Sequence, residues 1–210
     1  MFNFIIFFTM KKVLFLIAIC FASYVLNAQS YKETFDSNSL EWTECTFKKA
    51  NGTAIIDKGV MTLKSKEVDN LRTFFETHCY APLNMLRSFT VVANTKVKLL
   101  DEENAAGFVF NYKDNGNYYV FSFDESCVEF CRLVDGKVVG RIMQNVKWSK
   151  KRKVNQQWKL VYDAHSQQIE FLVDDMLIMK VRHMPLEYTG FGFYTFGKQE
   201  LTIDDIEFIQ

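Results

Sequence analysis

Two acidic residues, Asp124 and Glu129, lie close enough in the predicted sheet for their carboxyl groups to act together as a catalytic pair. They lie on consecutive predicted strands. They share one face of the sheet and are diagonal to each other, because successive side chains of a strand alternate between faces. Their carboxyl groups can approach to roughly 5–9 Å, the separation that glycoside hydrolysis uses. The pair is the candidate catalytic site, with two simply solvated acids as the alternative.

The same predicted sheet face carries a second candidate site, made of one aromatic and three polar side chains. Its members are Asn111, Lys113, Tyr118 and Ser122. An aromatic ring stacks on the apolar C–H face of a sugar, while amide and hydroxyl groups hydrogen bond with the sugar hydroxyls. We predict that these four residues bind a ligand, with ordinary cross-strand pairing as the alternative.

The stretch from Ala106 to Leu133 must position both sites, and its pattern is that of a three-stranded meander. Apolar residues recur at every second position, and Asn115-Gly116 lies between two such runs. Asn-Gly tolerates positive φ at both central turn positions, which is a strong β-hairpin signal. A second two-residue loop is expected at Glu125-Ser126, which would bring the third strand alongside.

This register assigns every side chain of the meander to a face. It pairs Tyr112 with Tyr119 and Phe110 with Phe121. One face then carries the apolar set Phe108, Phe110, Tyr112, Tyr119, Phe121, Phe123, Val128 and Phe130. Such a face must be core, because in solvent it would be an aggregation hazard. A slip of one residue would exchange the two faces.

Short strands separated by turn signals recur along the rest of the chain. They are predicted at 54–56, 60–64, 71–76, 89–99, 137–143, 158–163, 169–173, 177–181, 190–196 and 201–209. This spacing favours a sandwich or barrel, with one short helical turn at 81–87. In the last strand the apolar positions change parity between Ile203 and Ile206, which predicts a bulge at Asp204-Asp205.

The first 28 residues indicate export. Lys11-Lys12 precede an apolar run from Val13 to Leu26, and Ala28 supplies a small residue before the expected cut. This is the pattern of a secretory signal peptide, with Met10 as an alternative start. The run is shorter than the ~20 residues that span a membrane. We therefore expect residues 29–210 to form one domain in the periplasm, at the cell surface or outside the cell, without an integral membrane segment.

The charge of the chain is balanced, at 25 basic against 25 acidic residues. Cleavage would remove Lys11 and Lys12, leaving 23 against 25. No global field then favours nucleic acid, and none is expected as a partner. The three histidines are scattered without metal-ligand spacing, so no cofactor is expected.

Cys45, Cys79, Cys127 and Cys131 follow the predicted signal peptide. An even number of cysteines in an exported protein permits disulfides. Cys127 and Cys131 lie about 13 Å apart on one strand, too far to bridge each other. Either Cys45 or Cys79 joins this strand through a disulfide, or the cysteines remain buried thiols.

Several segments, taken in order, resemble a known superfamily. They are F-D-S-N-S-L-E-W from Phe35, I-D-K-G-V-M-T-L from Ile56, the meander, W-K-L-V-Y-D from Trp158, F-L-V-D-D from Phe171, G-F-G-F-Y-T from Gly190 and I-D-D-I-E-F from Ile203. The order is similar to that of the concanavalin A-like lectin/glucanase jelly rolls. Within them it resembles the laminin-G-like and 3-keto-disaccharide-hydrolase-like domains exported by Bacteroidota.

The resemblance implies an all-β, two-sheet antiparallel jelly-roll sandwich, often with glycan bound on the concave face. It transfers no active site, because the E-x-D-x-x-E strand of the related glucanases has no counterpart here. By the same resemblance, Glu33 near the first strand could share a structural Ca²⁺ with Asp204 or Asp205, although Ca²⁺ takes 6–8 oxygen ligands.

Three functions follow from these patterns. The first is an exported lectin-like module that binds glycan or another envelope component through the mixed-polarity face. The second is a small glycoside or keto-glycoside hydrolase that uses Asp124 and Glu129. The third is a structural envelope protein without a ligand.

Overall fold

A computed structural model describes residues 29–46, 51–68, 71–97, 104–146 and 155–210. In these ranges the chain is all-β, as its sequence predicts. Within them no helix is long and apolar enough to cross a membrane. The predicted signal peptide lies outside the described residues.

The strands are short and follow one another closely along the chain. Their bounds are β1 Ser30–Glu33, β2 Gly52–Asp57, β3 Val60–Ser65, β4 Glu67–Val68, β5 Leu71–Arg72, β6 Phe74–Tyr80, β7 Phe89–Val97, β8 Ala105–Asp114, β9 Asn117–Phe123, β10 Cys127–Val134, β11 Lys137–Asn145, β12 Asn155–Asp163, β13 Gln168–Val173, β14 Met176–Val181, β15 Gly190–Phe196 and β16 Glu200–Ile209. Residues 81–87, where a helical turn was expected, form turns and bends without a helix.

The strands make two antiparallel sheets that pack face to face. The back sheet has eight strands in the order β14-β13-β12-β7-β16-β3-β2, with β1 paired to β16. The front sheet has six strands in the order β11-β10-β9-β8-β15-β6. Strands β4 and β5 form a separate small ribbon. The predicted two-sheet antiparallel sandwich is thereby confirmed.

The core between the sheets is built largely from aromatic rings. Phe108 of the front sheet meets Trp158 and Phe171 of the back sheet edge to face, at centroid distances of 5.6 and 5.7 Å. Phe121 stacks on Phe171 at 5.4 Å. Offset and edge-to-face arrangements of this kind are favoured by the ring quadrupoles. The predicted assignment of these phenylalanines to the core is therefore confirmed.

The pairing of β8 with β9 departs from the predicted register. Asp114 pairs with Asn117, as expected from the turn at Asn115-Gly116. Before that turn, however, Phe110 pairs with Tyr119 and not with Phe121. The shift arises because three residues of β8 face a single residue of β9 between these pairs, which is a bulge. The pairing of β9 with β10 is as predicted.

The bulge is centred on Asn111, whose φ of 50° lies in the left-handed region. Asparagine is one of the few residues that adopt this conformation readily. As a result Tyr112 joins Val109, Tyr118 and Val120 on the side of the front sheet away from the main core. Its predicted place in the core was wrong.

Two further features bear on the site. The register of β16 shifts between Ile203 and Asp205, so the predicted bulge there is confirmed. At the other end of the front sheet, β11 is an edge strand. It is exposed along nearly its whole length, including the apolar residues Val138, Val139, Ile142 and Met143.

Candidate functional site

The side of the front sheet that faces away from the core gathers most of the polar and aromatic groups singled out above. We call it the front face. It is defined by Phe74, Glu76, His78 and Tyr80 of β6, Tyr194 of β15, Val109 and Tyr112 of β8, Tyr118, Val120 and Ser122 of β9, Cys127, Glu129 and Cys131 of β10, and Arg141 of β11. Because side chains alternate along each strand, the intervening residues enter the core.

The middle of the front face is a floor of small or buried groups. Gly192 and Gly107 place no side chain there, and Ser122 is buried. A Cβ added at Gly192 would meet the carbonyl oxygen of Thr77 at 1.9 Å. Only glycine therefore fits, because the backbone of β6 approaches that of β15 closely at this position.

One rim of this floor is the front-facing row of strand β6. Phe74 and Tyr80, at its two ends, are 48% and 64% exposed. Between them lie Glu76 and His78, with the Nδ1 atom of His78 3.6 Å from the Oε2 atom of Glu76. This oxygen is buried and accepts no hydrogen bond from the described residues. The row thus combines two exposed rings with an acceptor oxygen and an imidazole.

An aromatic stack connects this rim to the floor. The ring of His78 lies on that of Tyr112 at a centroid distance of 3.9 Å, and Tyr112 in turn stacks on Tyr118 at 5.7 Å. Burial, and then the charge of Glu76, raise the pKa of Tyr112. The same two causes raise the pKa of Tyr118 to about 12. Both phenols therefore stay neutral at physiological pH.

The opposite rim is organised by an ion pair between β10 and β11. The Nε and Nη2 atoms of Arg141 lie 2.7 and 3.0 Å from the two carboxylate oxygens of Glu129. The thiol of Cys131 donates a hydrogen bond to Oε1 of Glu129 at 2.6 Å. Burial, followed by this hydrogen bond, raises the pKa of Cys131 to about 12. Glu129 is thus held by two neighbours.

The predicted catalytic pair is placed near one end of the β9–β10 hairpin. Asp124 lies in the turn, where its Oδ1 atom accepts hydrogen bonds from the backbone N–H groups of Ser126 and Cys127 at 2.6 and 2.7 Å. Glu129 makes the bidentate contact with Arg141. Both carboxylates are therefore engaged within the protein, one in shaping a turn and the other in an ion pair.

The predicted ligand-binding residues are brought together in part. Asn111, Lys113 and Tyr118 line one pocket of about 200 Å³, whereas Ser122 lies apart from it on the floor. Tyr118 is only 3% exposed, because its ring is covered by Tyr112 and neighbouring side chains. Only a small part of its ring is therefore open to a ligand in the pocket.

The three carboxylates considered for calcium point in different directions. Glu33 is buried, where its Oε1 atom accepts the N–H of Phe35. Asp205 lies on the other side of the sheet, 3.2 Å from the Nζ atom of Lys32, and Asp204 is exposed. In the described part of the chain no three His, Cys, Asp or Glu side chains gather in a group that could hold a metal ion.

The four cysteines considered for disulfides are free thiols in the structure. Cys79 is buried in the core on β6, whereas Cys127 and Cys131 lie on the front face of β10. Burial raises the pKa of the Cys79 thiol above its ordinary value. The sequence left two alternatives, a disulfide to strand β10 or free thiols, and the structure shows free thiols.

The row Phe74, Glu76, His78 and Tyr80 was not recognised as a site from the sequence. The predicted strand ended at residue 76, and the histidines were judged singly against metal-ligand spacing. The available signal was the alternation F-F-E-T-H-C-Y, which sets the row on one face and Thr77 and Cys79 on the other.

No family model matches the chain, and no curated protein matches it in sequence. Solved structures do match. A Bacillus subtilis protein with a galectin-like fold aligns at a TM-score of 0.59 and 12% identity, over 86% of this chain and 94% of that one. The β-glucanase of Bacillus licheniformis aligns at 0.58 and 12%, over 88% and 99%. The carbohydrate recognition domain of Emp46p, in its metal-free form, aligns at 0.59 and 9%, over 87% and 98%.

These likenesses establish the fold. The chain is a jelly roll of the concanavalin A-like type, as its sequence predicted. The structural neighbours include a galectin-like fold, a glucanase and a carbohydrate recognition domain, and at 9–12% identity they show the fold alone. The narrower resemblance to laminin-G-like and 3-keto-disaccharide-hydrolase-like domains stays a prediction.

Proposed function

We propose that residues 29–210 are an exported module that binds glycan on the front face. The observation that carries the proposal is the row on β6, where two exposed rings flank a carboxylate and an imidazole beside a glycine-lined floor. An exposed aromatic ring offers an apolar face on which the C–H face of a sugar can stack, and the row presents two of them.

The chemistry of the row suits a chain of sugar rings. Phe74 and Tyr80 can stack on the C–H faces of pyranoses, while the partly exposed side chains of Glu76 and His78 can hydrogen bond with sugar hydroxyls. The six residues from one ring to the other span about 20 Å of extended strand, enough for several sugar units. This length favours an oligosaccharide or polysaccharide over a monosaccharide on this face.

Hydrolysis is the runner-up, with Asp124 and Glu129 as the catalytic pair. The β-glucanase among the structural neighbours supports this alternative, because it is a hydrolase with the same fold. The contacts of the two acids favour binding over catalysis, because a general acid or base needs a carboxyl group that can exchange a proton with its substrate. Glu129 is instead held by Arg141 and Cys131.

The experiment is a glycan array probed with the protein and three variants. Phe74→Ala and Tyr80→Ala should each weaken binding to the selected glycan, because each removes a stacking surface. Leu86→Ala is the matched control, since Leu86 is 87% exposed on a loop away from the front face. Equal binding by all four proteins would refute the front face as the binding surface.

Release of reducing sugar from the same glycans separates binding from hydrolysis. The wild type should bind without turnover. Turnover that falls about 10²–10⁴-fold in Asp124→Asn or Glu129→Gln, with binding retained, would instead establish the hydrolase. If the wild type shows neither binding nor turnover on a broad glycan panel, the third hypothesis, a structural envelope protein without a ligand, is the one that remains.

A further inference from the structure

The pocket lined by Asn111, Lys113 and Tyr118 lies at one end of the front sheet, and the bulge in β8 shapes it. The nearly buried side chain of Asn111 turns away from the strand, and its Oδ1 atom accepts hydrogen bonds from the backbone N–H groups of Glu187 and Tyr188 at 2.7 and 2.8 Å. These contacts fix the segment before β15 as a wall. The wall and strands β8 to β10 enclose the pocket of about 200 Å³.

Two cations from different strands face this pocket. Lys113 comes from β8, with its Nζ atom 5.6 Å from the ring centre of Tyr188. Arg132 comes from β10, with its Cζ atom 5.9 Å from the ring centre of Tyr119. Each cation rests on an aromatic ring, which holds the side chain in place without neutralising its charge.

Neither cation forms an ion pair with a carboxylate of the described residues. Other lysines in the described ranges do; the Nζ atom of Lys64, for example, lies 3.0 Å from Oε2 of Glu200.

The nearest acid in sequence to Lys113 is Asp114, whose pKa is lowered first by the hydrogen bond from Asn117 and also by the charge of Lys113. Asp114 does not line the pocket, however, and its Oδ1 atom accepts hydrogen bonds from Gly116 and Asn117. Glu187 also lines the pocket and is exposed, so it offers one acceptor against two positive charges. The pocket therefore has a positive balance.

We propose that this pocket binds the carboxylate of an acidic sugar, a uronic acid unit. Lys113 and Arg132 take the carboxylate, and Glu187 accepts a ring hydroxyl beside it. The volume of about 200 Å³ lies below the ~300–1,000 Å³ of a typical drug-sized site and suits a ligand of the size of one sugar ring. Tyr188, which is 36% exposed, contributes the apolar contact.

This inference rests on the proposed function in that it names the class of glycan, but it concerns a subsite that shares only Tyr118 with the front face. Free monosaccharides test it without the front face. The wild-type protein labelled with ¹⁵N is titrated with D-glucuronate, D-glucose and acetate, and the amide signals of Glu187 and Tyr188 are followed. The same titrations are run on Lys113→Met/Arg132→Met and on Lys64→Met.

Glucuronate should shift both signals, with glucose and acetate binding weaker by about tenfold or more, since each loses one part of the recognition. The double variant should lose glucuronate binding by a similar factor. Lys64→Met should behave as wild type, because Lys64 lies on the back sheet and pairs with Glu200. Both pocket cations are exposed, so their replacement leaves the core intact.

Absence of glucuronate binding, or equal binding by the double variant, would overturn the inference. Acetate binding as tightly as glucuronate would also overturn it, since the pocket would then be a simple anion site. If glucuronate fails while Phe74 and Tyr80 still govern glycan binding, only the uronate subsite is lost. If glucuronate binds while those two residues have no effect, it is the proposed front-face function that fails.

Discussion

The side chain of Asn111 holds the backbone N–H of Tyr188, a residue 77 positions further along the chain, at 2.8 Å. One residue in a left-handed conformation thus joins the bulge of β8 to the segment that precedes β15. The bond links the irregular part of a strand to the wall of a pocket. Bulges are common beside functional sites for this reason, since they aim a side chain away from the regular ladder.

Asn111→Gly should release this wall while keeping the bulge. Glycine adopts positive φ without cost, but it cannot accept the two hydrogen bonds. The amides of Glu187 and Tyr188 should therefore exchange with solvent faster in the variant, whereas amides in the middle of β12 should be unchanged. Unaltered protection of Glu187 and Tyr188 would show that the side chain of Asn111 does not hold them.

Phe121→Ala should destabilise the protein by about 3–5 kcal/mol, because Phe121 is fully buried between the sheets. Val120→Ala should cost less, about 1.5 kcal/mol, because it removes two methyl groups. Val120 lies on the front face, in a smaller apolar cluster than the one between the sheets. Urea denaturation of both variants gives the comparison. Equal losses would mean that the two faces of β9 are buried alike.

Gly192→Ala should cost about 1–3 kcal/mol, the usual range for overpacking. Its new methyl group would approach the backbone carbonyl of Thr77 to 1.9 Å, so a strand must move. Gly140→Ala is the control within the same sheet, because the nearest atom to its methyl group is Cβ of Arg132 at 3.7 Å. Similar thermal midpoints for both variants would contradict the close approach of β15 to β6.

Stability should fall as pH rises above 10. The pKa of Tyr118 is about 12 in the folded protein against 10.0 for an ordinary tyrosine, because of burial and the charge of Glu76. Between these values the unfolded chain loses the proton and the folded one keeps it, so each rise in pH favours unfolding. Below pH 10 this contribution is constant.

The measurement is urea denaturation at several pH values from 8 to about 11. Tyr118→Phe cannot ionise, so its stability should fall less steeply above pH 10 than that of the wild type. Tyr80→Phe is the control, because Tyr80 is exposed. Parallel curves for Tyr118→Phe and wild type would show that Tyr118 is not shielded.

Asp124→Ala should cost about 1–3 kcal/mol, as the turn between β9 and β10 loses two hydrogen bonds from backbone amides. Asp124→Asn keeps an acceptor oxygen at the same place and should cost less. Thermal unfolding of both variants tests this structural role. Equal stability of Asp124→Ala and wild type would return Asp124 to the candidates for catalysis.

Most strands, and the face on which each of their side chains lies, could be predicted from turn residues and from the alternation of apolar and polar residues. Asn115-Gly116 fixed the hairpin, and the change of parity at Asp204 revealed the bulge of β16, because one side of that strand is apolar and the other is not. At Asn111 no such contrast exists. Strand β8 carries large apolar or aromatic side chains on both of its faces. The switch of Tyr112 from one face to the other therefore does not alter the hydrophobic pattern and cannot be predicted from it.

The candidate site was predicted less completely, because it depends on strands that are distant in the sequence. Asn111, Lys113 and Tyr118 meet in one pocket, yet Arg132, Glu187 and Tyr188 complete it from two other segments. The row on β6 reaches the front face only because β6 pairs with β15 at the far edge of the sheet. Periodicity reports a residue's face but not its neighbours across strands.

The exposed edge strand β11 has a consequence for the protein in concentrated solution. Within the described residues it pairs with β10 alone, so its outer edge offers backbone hydrogen-bonding groups to other molecules. Four exposed apolar side chains line it, and Lys137 and Arg141 are its only charges. A chain with nearly balanced charge has little long-range repulsion to keep such edges apart. The nine residues of β11 therefore give the protein a surface along which two copies can associate at high concentration.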